Sequence, residues 1–139
     1  MPKLKYRNGS KIETLLGLSG ELLWQGANYM HGGQSFTFPK SVYDFQSGLV
    51  FVWSYYNGSS AEDYWFQCDF VPREDIREHY GAGHVFILSS SNFSHMATKY
   101  LYIQDNGITG HNDNLKTGTA DSGIAYENNS FVLREVWGV

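Results

Sequence analysis

Short apolar runs, separated by glycine, asparagine and proline, recur along most of the chain. Pairs such as Asn57-Gly58 and Asn106-Gly107 favour tight turns between antiparallel strands. The pattern therefore predicts an all-β fold, an antiparallel β-sandwich of the jelly-roll-like kind. The predicted strands cover residues 22–24, 34–38, 49–56, 64–71, 85–88, 100–103, 108–109 and 131–139.

Two of these runs carry more specific predictions. Residues 49–56 are apolar on both faces, as is typical of a strand that lies centrally in a sheet or at a subunit contact. Residues 131–139 alternate between a face with Phe131, Leu133, Trp137 and Val139 and a face with Val132, Arg134 and Val136. This apolar last run predicts burial in the core or against a neighbouring subunit. Only residues 73–80, after Pro72, favour a helical turn.

The first nineteen residues differ from the rest in charge. They contain four of the ten basic residues, Lys3, Lys5, Arg7 and Lys11. We interpret residues 1–19 as an N-terminal attachment arm or hairpin and residues 20–139 as the head domain. A basic arm can contact an acidic partner protein or a phosphate, although a solvated terminus explains the same charges.

Composition narrows the class of protein. A chain of 139 residues fits one domain, and its aromatic share of 17% favours sheets. The net charge of −4, with the basic residues concentrated in the arm, argues against nucleic-acid binding. Cys68 is the one cysteine, which excludes an internal disulfide, and its place between Phe66 and Phe70 predicts a buried thiol. We expect neither a signal peptide nor membrane insertion.

A search for catalytic patterns gives no specific signal. The chain lacks a nucleophile elbow, a phosphate-binding glycine loop and a zinc-protease motif. Residues 111–114 (His-Asn-Asp-Asn) could ligate a metal or form a polar loop that satisfies its own backbone. Glu62 with Asp63, or Asp69 with Asp105, could in principle form a glycosidase pair. We predict no catalytic residues, no metal site, no cofactor and no enzymatic activity.

The strongest candidate for a site is a surface. Aromatic residues and a polar turn come together around residues 53–65, and rings beside amide and hydroxyl groups suit saccharide binding. The alternative is that these rings fill the core and an oligomer interface. The predicted saccharide-binding residues are Trp53, Tyr55, Tyr56, Asn57, Tyr64 and Trp65.

The order of several motifs resembles a C-terminal domain of tailed-bacteriophage structural and receptor-binding proteins, found in tail-fibre, baseplate and head-fibre proteins. The opening run Glu-Leu-Leu-Trp-Gln-Gly-Ala-Asn-Tyr-Met at residues 21–30 begins the match, which extends to residue 139. Most relatives in this family carry Phe-Ile-Pro-Lys or a similar run where this chain has Phe-Val-Pro-Arg at residues 70–73, a mild change. The later motifs lie at residues 47–55, 70–73, 83–86, 99–103, 108–111 with Asn114, and 128–134.

The resemblance implies a virion protein at the tail tip, baseplate or capsid surface, made in the host cytoplasm. It also implies a homotrimer, contacts to other virion proteins through the N-terminal arm, and adhesion to a bacterial surface saccharide of the cell wall or capsule. It assigns no binding residues. The alternatives are a structural or capsid-decoration protein without a saccharide ligand and a depolymerase acting on such saccharides.

Overall fold

The computed structural model describes residues 20–139, so the predicted arm at residues 1–19 lies outside the described residues. The described chain is built from short strands with one short helix, α1 (Arg73–Glu78), and three 3-10 turns at Val42–Asp44, Asn112–Leu115 and Asn128–Ser130. The strands are β1 (Glu21–Asn28), β2 (Ser35–Thr37), β3 (Gly48–Tyr55), β4 (Gln67–Pro72), β5 (Gly83–Ser89), β6 (Met96–Ile103), β7 (Gly107–Thr109), β8 (Thr117–Thr119), β9 (Ala125–Glu127) and β10 (Phe131–Gly138).

The strands form two antiparallel sheets of four strands each and a separate hairpin. The first sheet has the order β1-β10-β3-β4, the second has the order β2-β7-β6-β5, and β8 pairs with β9. The predicted all-β class is therefore confirmed. The predicted central position of the 49–56 run is also confirmed, because β3 lies between β10 and β4.

Alternate side chains from both sheets meet in one core. From β3, the rings of Phe51 and Trp53 lie 5.2 Å and 5.5 Å from the ring of Phe86 on β5. All three rings are buried, and each contributes roughly 1.5–3 kcal/mol by leaving water. This cross-sheet contact joins the two sheets.

An irregularity in β10 overturns the predicted division of its faces. The register shifts between Leu133 and Glu135, as in a β-bulge, and Val136 then pairs with Phe51. Val136 is therefore buried together with Phe131 and Leu133, although the alternation placed it on the other face. Trp137 shifts correspondingly to the outer face, where it remains partly exposed. The reason is that one extra residue in a strand reverses the direction of every later side chain.

Strand β4 corrects two further predictions. It begins at Gln67 and not at residue 64, because Trp65 has a positive φ of 56°, which interrupts an extended strand. Cys68 shares one face with Phe66 and Phe70, as predicted, but this is the outer face, so the prediction of a buried thiol is wrong. Side chains on alternate positions of a strand point to opposite faces, and Cys68 points to the face of the first sheet that is turned away from the shared core.

The hairpin of β8 and β9 was not predicted. Its strands contain only Thr, Gly, Ala, Tyr and Glu, and three residues in each strand are too few to show apolar periodicity. The turn between them uses Gly123 at a φ of 89°, a conformation that favours glycine. The hairpin lies against β6 and continues into the 3-10 turn Asn128–Ser130, which precedes β10. It thereby places Thr117 and Glu127 beside the end of β3.

Candidate functional site

A cavity of about 410 Å³ opens where β3 ends at Tyr55. Its lining residues come from the segment after β1, the end of β3 and the turn that follows it, the loop before β6, the β8–β9 hairpin and the turn before β10. We call this cavity the tyrosine pocket. Its lining residues are Tyr29, Tyr55, Tyr56, Asn57, Gly58, His95, Thr117, Glu127, Asn129 and Ser130.

Three tyrosine rings form the apolar part of the tyrosine pocket. The Tyr29 ring lies edge-on to the Tyr56 ring, with 5.1 Å between centroids and an interplanar angle of 73°. The Tyr55 ring lies 5.2 Å from the imidazole of His95. Burial, with a smaller effect of the neighbouring Tyr56, raises the pKa of Tyr29. The Tyr29 phenol therefore stays protonated at neutral pH and can donate a hydrogen bond.

A buried lysine supports Tyr29 from the core side. The Lys99 amine donates to the backbone oxygens of Tyr29 at 3.2 Å and of Asn114 at 3.1 Å. It also lies 5.5 Å from the centroid of the Tyr29 ring. Burial lowers the pKa of Lys99 to about 7. These contacts fix the backbone from which the Tyr29 side chain projects.

Glu127 is the acidic group of the tyrosine pocket. Its Oε2 atom lies 2.7 Å from Nδ1 of His95 and accepts a hydrogen bond from the Ser130 hydroxyl at 2.9 Å. These two hydrogen bonds, that of His95 first, lower the pKa of Glu127. Its Oε1 atom has no hydrogen-bond partner within residues 20–139 and is free to meet a ligand.

The same contacts do not form a nucleophilic triad. Such a triad needs a serine hydroxyl bonded to a histidine, which is bonded in turn to a carboxylate. Here Ser130 and His95 both bind the same oxygen of Glu127, and Ser130 is largely buried. The arrangement orients Glu127 and His95 for binding.

Asn57 shapes the turn at the mouth of the pocket. Its Oδ1 atom accepts from the backbone amides of Ser59 at 2.8 Å and Ser60 at 2.9 Å. Its Nδ2 atom donates to Glu62. These bonds are internal to the turn and occupy both polar atoms of the Asn57 side chain. Asn57 therefore shapes the wall of the pocket and offers few free hydrogen-bonding groups to a ligand.

The six predicted saccharide-binding residues fall into three groups. Tyr55, Tyr56 and Asn57 line the tyrosine pocket. Tyr64 and Trp65 lie outside it and pack against Tyr55, with ring centroids at 5.8 Å and 4.7 Å.

Trp53 is a correction to the predicted site. Its side chain is fully buried in the core, so it cannot stack on a saccharide. It lies two residues before Tyr55 on β3, where the strand is still covered by the second sheet at Phe86. Its indole N–H has no hydrogen-bond partner within the described residues.

Sequence reasoning missed the half of the tyrosine pocket that lies far from β3 in the chain. Tyr29 belongs to the run at residues 21–30 that carries the family resemblance, but no local pattern marked its ring as part of a site. His95, Thr117, Glu127 and Asn129 stand in polar stretches without periodicity. Their approach to Tyr55 depends on where the β8–β9 hairpin lies against β6, which only the tertiary structure decides.

The polar stretch at residues 111–114 forms a loop that satisfies its own backbone. His111 accepts from the backbone amide of Asp113, and the side chain of Asn114 bonds to Met30 and Tyr100. Within the described residues, no group of three or more His, Cys, Asp and Glu side chains is arranged to hold a metal ion. The metal-site alternative for this stretch therefore receives no support from the geometry.

Three of the four carboxylates considered as glycosidase pairs have other contacts, whereas the buried Oδ2 atom of Asp69 has no hydrogen-bond partner within the described residues, and burial raises the pKa of Asp69. Glu62 accepts from Asn57, and Asp63 forms an ion pair with Arg134 at 2.9 Å. Asp105 accepts from Ser41 and Tyr80. None of these carboxylates lines the tyrosine pocket.

A second cavity of about 410 Å³ lies on the other side of the β8–β9 hairpin, above β5 and β6. Its lining is more apolar and includes Ile87, Met96, Ile124 and Tyr126. The tyrosine pocket is the better candidate site for a saccharide, because three ring faces stand beside polar groups in its lining.

Comparison with known proteins adds no family assignment. No protein-family model matches the chain, and no curated protein matches it significantly. The longest helix between residues 20 and 139 has six residues, which is too short to cross a membrane.

Proposed function

We propose that this chain is a virion module of a tailed bacteriophage that recognises the bacterial surface by binding cell-wall or capsular saccharide. The observation that carries the proposal is the tyrosine pocket, in which three tyrosine rings stand beside Glu127, His95 and Asn129. Ring faces for stacking and polar groups at their edges match the alternating apolar and hydroxyl surfaces of a sugar. The motif order at residues 21–134 supports a location on the tail tip, baseplate or capsid surface.

We further propose that the two sheets form a jelly-roll-like β-sandwich and that the module acts as a homotrimer. An outward apolar row crosses the whole first sheet and supports self-association. Leu22 pairs with Trp137, Trp137 with Val50, and Val50 with Phe70, so four adjacent strands each contribute one apolar side chain. Phe70 is about half exposed, and the other three are partly exposed. Homomeric interfaces are typically more apolar than the remaining surface.

A trimer would also strengthen a shallow binding site. Three copies of the tyrosine pocket on one particle would bind a repetitive polysaccharide with much higher avidity than one copy alone. In this proposal the arm at residues 1–19 contacts other virion proteins and the module has no catalytic role.

The direct test measures binding of the fluorescently labelled protein to a panel of Gram-positive cells. We expect selective labelling of some strains and competition by polysaccharide extracted from the same walls. Replacing Tyr56 by Ala removes one ring face, worth about 1 kcal/mol in a single site, and should lower labelling at least about fivefold, because weak sites multiply in an oligomer. Tyr43→Ala is the matched control, since Tyr43 is exposed and lies outside the pocket.

The structural or capsid-decoration alternative makes the opposite prediction. A folded oligomer that labels no strain, including the host from which its phage is grown, would favour that alternative. Equal loss of labelling in Tyr56→Ala and Tyr43→Ala would contradict the assignment of the site to the tyrosine pocket. Release of soluble fragments from the wall polysaccharide would favour the depolymerase.

A further inference from the structure

The charge of the tyrosine pocket indicates which kind of saccharide it selects. Among the lining residues within positions 20–139, Glu127 is the one carboxylate, and none is a lysine or arginine. The hydrogen bonds from His95 and Ser130 hold the pKa of Glu127 below its usual range, so it remains an anion in mildly acidic solution. An anionic sugar such as a uronic acid would be repelled by this carboxylate, and the His95 imidazole in the lining is already engaged with Glu127.

The neighbouring turn adds a second negative group. Glu62 lies behind Asn57, which donates to its Oε1 atom and lines the pocket. Within the described residues, Lys99 and Lys116 adjoin lining residues; Lys99 is fully buried, and the exposed Lys116 is paired with Asp113. The Lys99 amine donates to two backbone oxygens and does not line the pocket. The fixed charge among the described lining residues is therefore negative, which favours a cationic ligand.

The rings strengthen the same preference. The negative face of an aromatic ring attracts an ammonium group, and tyrosine is among the residues that do so well. Tyr29 and Tyr56 lie at a large angle to each other, and Tyr55 occupies the wall beside His95. Rings in different orientations around a carboxylate provide both parts of an ammonium site, the cation–π contact and the charge-assisted hydrogen bond.

We propose that the tyrosine pocket selects saccharides that carry a protonated amine, such as glucosamine residues without the N-acetyl group, with the free Oε1 atom of Glu127 accepting from the ammonium. This inference rests on the proposed saccharide-binding function and adds the chemical class of the ligand. His95 and Ser130 act as positioning residues, because they hold the other oxygen of Glu127.

The test compares two probes that differ only in the acetyl groups. Isothermal titration at about pH 6.5 measures binding of a glucosamine tetramer and of the N-acetylglucosamine tetramer to the full chain. We expect the amine-bearing tetramer to bind about tenfold more tightly, and its affinity to fall as salt is raised, because salt screens charge pairs.

Two variants assign the effect to Glu127. In Glu127→Gln, which keeps the size and removes the charge, the ratio of the two affinities should fall to about one. Glu135→Gln is the matched control, because Glu135 lies on β10 outside the pocket and bonds to Trp137. This control should keep the full preference. Circular dichroism and thermal unfolding confirm that both variants fold.

The outcomes separate this inference from the proposed function. Equal binding of both tetramers would overturn the amine preference and leave saccharide binding intact. A preference that survives in Glu127→Gln would place the ammonium elsewhere and overturn the inference as well. If neither tetramer binds while cell labelling is still competed by wall polysaccharide, the amine class is wrong and the adhesin function stands. Loss of both kinds of binding would overturn the proposed function itself.

Discussion

Lys99 lies on the inner face of β6, opposite Phe86 of β5, where a charged side chain is rare. Its amine has two backbone oxygens as partners, those of Tyr29 and Asn114. Burial lowers its pKa from 10.5 to about 7. The folded protein therefore binds fewer protons than the unfolded chain between these two values, and its stability must rise with pH across that window.

This linkage gives a prediction for Lys99→Met. Between about pH 7 and pH 10, the free energy of unfolding of the wild type relative to this variant should rise by about 1 kcal/mol per pH unit. Below about pH 7 the difference should level off, since Lys99 is then protonated in both states. Urea unfolding at a series of pH values measures it.

Lys40→Met serves as the control for the Lys99 experiment. Lys40 is exposed, and its hydrogen bond to Glu21 raises its pKa in the folded protein. Below the pKa of the unfolded chain Lys40 is protonated in both states, so its contribution to the free energy of unfolding does not change with pH. A difference curve for Lys99→Met as flat as that for Lys40→Met would show that Lys99 is not buried as a free amine.

At the scale of elements, two buried asparagine side chains hydrogen-bond to backbone groups of β6 that no neighbouring strand pairs with. Strand β7 pairs with β6 only at Tyr102 and Ile103. Beyond that point the side chain of Asn114 takes the place of a strand, because it accepts from the amide of Tyr100 and donates to its oxygen. Asn128 accepts from the amide of Thr98 in the same way. These two side chains fasten the loops of the tyrosine pocket to the second sheet.

We expect Asn114→Ala to lower the free energy of unfolding by about 2–4 kcal/mol, because it leaves buried backbone groups of β6 and Met30 without partners. Asn112→Ala, in the same turn but exposed, should change it by less than about 0.5 kcal/mol. Chemical denaturation of both variants measures the difference. Similar small losses in both would contradict a structural role for the Asn114 amide.

At the scale of the whole molecule, the outward apolar row on the first sheet bears on assembly. Removal of residues 136–139 would delete Val136, which is fully buried beside β3, so such a truncation would disturb folding as well as assembly. Trp137 offers a cleaner change, because its side chain is on the outer face and its indole N–H bonds to Glu135.

We predict that Trp137→Ala shifts the proposed trimer towards monomer while the domain remains folded. The physical reason is the loss of the largest apolar surface in the row, which is worth a few kcal/mol when fully buried. Light scattering coupled to size-exclusion chromatography measures the mass. Ile124→Ala is the control, since Ile124 is exposed on the distant β8–β9 turn. A mass unchanged by Trp137→Ala would exclude this surface as the interface.

The sequence by itself determined the all-β class, the position of most strands and the central place of β3. These follow from local patterns, because period-two burial and turn residues act over a few positions. The bulge in β10 and the exposure of Cys68 were decided by tertiary structure. Which of the two alternating faces is covered depends on where the second sheet packs, as the exposed Cys68 and Phe70 on the outer face of β4 demonstrate.

The candidate site also has one part that the sequence predicts and another part that only the tertiary structure places. Tyr55, Tyr56 and Asn57 could be predicted, because an aromatic run before an Asn-Gly turn is visible in the chain itself. Trp53 was assigned to the surface wrongly, since the sequence does not show where the second sheet covers β3. Tyr29 and Glu127 join the pocket only through contacts between residues distant in the chain, and such contacts are set by packing of the hairpin and loops, not by any local pattern.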